Sequence, residues 1–219
     1  MTTRLWCAAA LCLVVSLTPW GPLLLYPFTL FTTWVHESGH AAAAVLLGGR
    51  VASITIQPDT SGLTRSLMPA STLAQALVAS AGYLTASIVG CLLLVASRDD
   101  RRTKSILWTI GALMLITIVL WIRNLFGAVV VAGWALALFG LAGKRATRGV
   151  AGFAMSVLAI QVSLNAVFDI RTLFLVRGAS DAATMQRLTG APAWWWAAVW
   201  MAASLALLAA TLRATRSGR

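Results

Sequence analysis

Apolar residues in this chain come in long runs separated by short polar breaks, and the runs are too long for the core of a soluble domain. A membrane-spanning helix needs roughly 20 mainly apolar residues. The pattern predicts spans at about 5–18, 22–47, 71–97, 105–122, 124–143, 149–176 and 192–212. The first is short, and reads as either a full span extending toward Leu25 or an interfacial segment. No cleavage-site pattern follows it, so it reads as a retained membrane segment rather than a signal peptide. Trp194, Trp195 and Trp196 suit an interfacial aromatic belt at the start of the last span. The expected fold is an all-α polytopic bundle of six to seven transmembrane helices, forming one domain over 1–219.

Residues 48–70 break the pattern. Gly48-Gly49 ends the second run, where glycine adopts the left-handed cap conformation at little cost. Val51 to Ile56 is rich in β-branched residues, Pro58-Asp59-Thr60-Ser61-Gly62 is turn chemistry, and Leu63 to Ser66 reads as a returning strand. A small β-hairpin at about 51–66 is predicted after the second helix.

Composition agrees with a bilayer setting. The chain of 219 residues is 59% apolar and 11% charged, with 17 Lys+Arg, 6 Asp+Glu and a net charge of +11; its mean hydropathy is +0.84. Soluble domains are about 25% charged. The cations gather at 98–104, at 144–148 and in the tail with Arg213, Arg216 and Arg219. This arrangement argues against nucleic acid as a partner and for a lipid bilayer. The positive-inside rule assigns those three regions to the cytoplasmic side, in what would be a bacterial plasma membrane. Cys7, Cys12 and Cys91 lie in apolar runs without paired spacing and read as packing thiols.

Scarcity sharpens the chemistry. Both histidines and the only glutamate fall in His36-Glu37-Ser38-Gly39-His40. On a helix, residues four apart share a face, so His36 and His40 can bind one metal ion. Glu37 is then placed to act as general base on water that zinc activates. A third ligand has to be an aspartate. Asp99 and Asp100 sit among arginines, and Asp59 sits in a turn where aspartate is expected for backbone hydrogen bonding. Asp169 interrupts an apolar helix and extends a stripe with Gln161 and Asn165, which should face the bundle interior. Asp169 is therefore the preferred ligand and Asp181 the alternative. Asp181 also reads as the first residue of a helix, and Asp169 also reads as the partner of a nearby arginine such as Arg171. Asn165 would orient Asp169 or a substrate carbonyl.

These motifs resemble the site-2-protease (M50) family of intramembrane zinc metallopeptidases, and more closely its compact M50B-like branch. The matching residues are His36 to Ala41, Gly48-Gly49-Arg50-Val51 with the hairpin, Ala81-Gly82-Tyr83-Leu84, the Asn165–Asp169 helix, and Ser180-Asp181-Ala182. The run Asn165-Ala166-Val167-Phe168-Asp169-Ile170 departs from the Asn-Pro and Leu-Asp-Gly pattern of better-known members. The resemblance implies one zinc ion per chain, held by His36, His40 and Asp169, with Glu37 as catalytic base. It implies hydrolysis of peptide bonds in or near transmembrane segments of membrane-protein substrates. A helical substrate must unwind to expose its backbone. Ile54 and Ile56 are expected to help dock the unwound segment by strand addition. The competing readings are a non-catalytic M50-like scaffold or metal-binding protein, and a small-solute transporter lined by the Gln161–Asn165–Asp169 stripe.

Overall fold

A computed structural model describes residues 2–99, 102–174 and 180–217 of the chain. Its elements follow the hydrophobic runs closely. They are α1 (Thr2–Ser16), α2 (Gly21–Leu46), β1 (Arg50–Ile56), β2 (Gly62–Leu67), α3 (Thr72–Ala96), α4 (Thr103–Leu120), α5 (Leu125–Ala142), α6 (Arg148–Thr172), α7 (Asp181–Thr189) and α8 (Ala193–Ser217). Five helices, α3, α4, α5, α6 and the Ala193–Ala214 part of α8, are long and apolar enough to cross a membrane. α1 is a shorter apolar helix. α2 has the length of a span, but its threonines, histidines and glutamate lower its apolar character. Of the charged regions expected on one side of the membrane, Asp100, Arg101 and Arg219 lie outside the described residues, as do positions 175–179 of the sixth predicted span and the loop after it.

Local sequence explains where the elements stop. Gly48 sits just past α2 with φ 80°, the left-handed conformation expected for a terminating glycine. The Ser71, Thr147 and Ser180 hydroxyls accept from backbone N–H groups three residues on and cap α3, α6 and α7. α3 packs between α2, α6 and α8, so the helix behind the histidine motif is held on three sides.

β1 and β2 pair antiparallel, from Ile56 opposite Gly62 to Arg50 opposite Leu67, with an irregularity between Val51 and Ser53. The other edge of β1 is also occupied. Ile54 N–H donates to the Trp121 carbonyl at 2.7 Å, and Arg123 N–H donates to the Ile54 carbonyl at 3.0 Å. Asn124 completes the contact, its side chain receiving Ile56 N–H at 3.2 Å and donating to the Ile56 carbonyl at 2.6 Å. The short α4–α5 connection therefore clamps the hairpin to the bundle. Ile54 and Ile56 point into the core with no exposed surface, which corrects the expectation that they meet a substrate. With Ile54 and Ile56 buried and both backbone edges bonded at those two residues, this end of β1 has nothing left to offer an added strand.

Candidate metal centre

α2 turns His36 and His40 to the same face, toward α3. The close approach depends on two glycines. A Cβ on Gly39 would stand 2.7 Å from the Thr85 side chain, and a Cβ on Gly82 would collide with the Nε2 atoms of both imidazoles. The His40 Nδ1–H donates to the Val78 carbonyl at 2.7 Å. A carbonyl only accepts, so this bond fixes the tautomer and leaves the His40 Nε2 lone pair free. Tyr83, also on α3, packs edge-on against His36 with ring centroids 4.5 Å apart, and is itself stacked on Trp200 of α8.

The third member comes from α7. Asp181 Oδ2 lies 3.2 Å from Nε2 of both His36 and His40, and the two Nε2 atoms are 3.0 Å apart. Three ligand atoms thus form a nearly equilateral triangle that could hold one metal ion. Burial raises the Asp181 carboxyl, but imidazoles protonated at Nε2 would outweigh it through hydrogen bonding and charge and hold the group well below the usual carboxylate range, so this carboxylate calls for positive charge beside it. Two nitrogen lone pairs and a carboxylate at this spacing repel one another unless a positive charge sits among them. Two nitrogens and one oxygen are a zinc donor set, and tetrahedral ligands at about 2.0–2.1 Å from zinc stand roughly 3.3 Å apart. The residues present therefore fit the ion that the sequence motif calls for.

Glu37 lies beside this triangle and is only 5% exposed. The Thr64 hydroxyl on β2 donates to Glu37 Oε2 at 2.6 Å and stands 3.0 Å from the Glu37 carbonyl oxygen. Gly62 admits the carboxylate, since a Cβ there would stand 2.5 Å from Oε1. Neither Thr64 nor Gly62 was singled out as a site residue in the sequence. Their only signal was membership of the hairpin that follows the histidine motif.

All of these groups open into one cavity of about 780 Å³, lined by residues of α2, β2, α3, α6 and α7. The structure separates the two aspartates that the sequence left in competition. Asp181 joins the imidazoles, whereas Asp169 lines the cavity outside the triangle. Among the described residues Asp169 forms no ion pair with Arg171, which is exposed. Asn165 donates to the Thr32 hydroxyl at 3.3 Å rather than orienting Asp169, and it is not part of the cavity lining. Asp59 accepts from the N–H and hydroxyl of Ser61 and closes the hairpin turn. Asp99 pairs with Arg102 at 3.3 Å.

The sequence model of the Peptidase M50B-like family matches residues 6–211. The chain belongs to the Peptidase M50B-like family. The match spans the histidine motif, the hairpin and α7 alike. No curated protein and no solved structure matches the chain. M50B-like membership and the five apolar helices make it a multi-pass membrane protein.

Proposed function

We propose that this M50B-like protein is an intramembrane zinc metallopeptidase that hydrolyses peptide bonds in or near transmembrane segments of membrane-protein substrates. The observation that carries this reading is the Nε2–Nε2–Oδ2 triangle of His36, His40 and Asp181 with Glu37 beside it in one cavity. The ligand assignment follows that geometry and puts Asp181 where the sequence preferred Asp169. Zinc, when bound, supplies a Lewis acid and activates water for attack on a carbonyl.

The chain's own residues then have defined tasks. The Val78 carbonyl holds the His40 ring so that Nε2 faces the ion. Glu37 accepts a proton at its carboxylate and returns it to the leaving amine, with the Thr64 hydroxyl orienting Oε2. β2 presents Leu63, Thr64 and Ser66 along the cavity. Its outer edge carries no backbone partner among the described residues beyond the turn. An unwound substrate segment would pair there, on β2 rather than β1.

Cleavage of a membrane substrate by the zinc-loaded protein tests the proposal. Glu37→Gln should lower the rate at least 10²-fold, the scale of general-base catalysis, while zinc content stays unchanged. Undiminished turnover in Glu37→Gln would remove Glu37 from the mechanism. Zinc binding without any turnover in the wild type would favour the non-catalytic scaffold.

A further inference from the structure

Asp169 is the one carboxylate of the cavity that the triangle and Glu37 leave unused. It sits in the last turn of α6, half-buried, and lines the same cavity as the imidazoles. Among the described residues, no hydrogen bond or ion pair reaches its carboxylate oxygens. An ionised carboxylate withdrawn from water without a partner is costly, so such groups are kept for what they bind.

The surroundings say what that partner is. Among the described residues no lysine or arginine lines the cavity; apart from the site residues, the polar lining there consists of hydroxyls such as Thr33, Thr60 and Thr184, and the Gln75 amide. The two charges of a zinc ion are balanced by Glu37 and Asp181, which leaves Asp169 as a surplus negative charge. The cavity also lies toward one end of the bundle. Asp169 is in the final turn of α6, Asp181 begins α7, and His40 is in the last third of α2. Lysine and arginine are commonest in membrane proteins at the ends of transmembrane segments, where they reach toward the interface.

We propose that Asp169 forms a subsite for a basic side chain, lysine or arginine, carried by the substrate peptide near the scissile bond. The proposal rests on the metallopeptidase reading above. A charge-assisted hydrogen bond to Asp169 both satisfies the carboxylate and neutralises the cavity. A neutral side chain in the same place leaves the charge buried and unpaired, so the subsite discriminates by rejection as well as attraction.

Binding to the zinc-loaded Glu37→Gln protein in detergent micelles tests this without relying on turnover. The probes are labelled apolar peptides in which one lysine is moved along the sequence, each matched by the same peptide with norleucine. At one position lysine should bind about tenfold more tightly than norleucine, the scale of one charge-paired contact. Adding Asp169→Asn should abolish that advantage with zinc affinity unchanged, and adding Asp169→Lys should favour glutamate at the same position. The subsite is overturned if no lysine position is preferred, if no peptide binds, or if the preference survives Asp169→Asn. Loss of zinc affinity in Asp169→Asn without a change in preference would instead make Asp169 a positioning residue for His36. Failure of the wild type to hydrolyse peptides that bind with this preference would count against the peptidase reading alone.

Discussion

Gly82 determines how closely α3 can approach the histidines, because a Cβ at that position would occupy space held by both Nε2 atoms. The α3 backbone at Gly82 confines both imidazoles and the Val78 carbonyl bond fixes the His40 ring, which is the preorganisation a metal site needs. Gly82→Ala should keep the helical content and lower zinc affinity by about 10–100-fold, the usual scale for disturbing a ligand's support. Isothermal titration of the apo protein with zinc would measure it; unchanged affinity would mean that the imidazoles have room to shift. At this scale the sequence was partly legible. The helical i, i+4 spacing puts His36 and His40 on one face, where their Nε2 atoms meet, and Glu37 lines the same cavity. The carboxylate that meets the imidazoles was not legible, because it is delivered by packing of α7 on α3 and α8, which no local pattern encodes. Asp169 attracted the assignment by interrupting an apolar run. Asp181 looked like an ordinary helix start, and it is one, with Ser180 capping α7 just before it. One residue serves as both the first residue of a helix and the carboxylate facing the imidazoles.

Among the elements, the hairpin shows how far a period-2 pattern reaches. Strand propensity and turn chemistry located both strands and the Asp59 turn, but propensity does not say which edge of a hairpin stays free. The four-residue α4–α5 connection decides that by bonding to Ile54 and Ile56. A core role and a docking role for Ile56 make opposite predictions. Ile56→Ala should destabilise the protein by about 2–5 kcal/mol, the usual cost of removing a fully buried aliphatic side chain. Thermal unfolding in micelles would show this as a clear fall in midpoint. A wild-type midpoint with weakened substrate binding would restore the docking role. α7 is a similar case: the 177–191 stretch reads as a loop by hydropathy, yet Ala182 and Met185 are buried on one face and hold the short helix down.

The whole molecule was the most legible level, since 59% apolar residues and long uninterrupted runs leave few alternatives to a membrane bundle. The polar exceptions sort into two groups. Arg102 and Asp99 pair with each other beside α4, and Lys104 donates to the Gly143 and Ala146 carbonyls beyond α5, at 2.7 and 2.6 Å. At the cavity end, His36, Glu37, His40, Asp169 and Asp181 share one enclosure. Concentrating nearly all inward-facing charge in one place is costly in a bilayer and is expected only where chemistry needs it. The central claim is that a metal ion belongs at the centre of the His36–His40–Asp181 triangle. Zinc content of the purified wild type, measured beside Asp181→Ala and Asp169→Ala, tests it most directly. The wild type and Asp169→Ala should each hold about one zinc per chain, as expected for a three-ligand catalytic site, and Asp181→Ala should hold none. Zinc retained in Asp181→Ala and lost in Asp169→Ala would contradict the account.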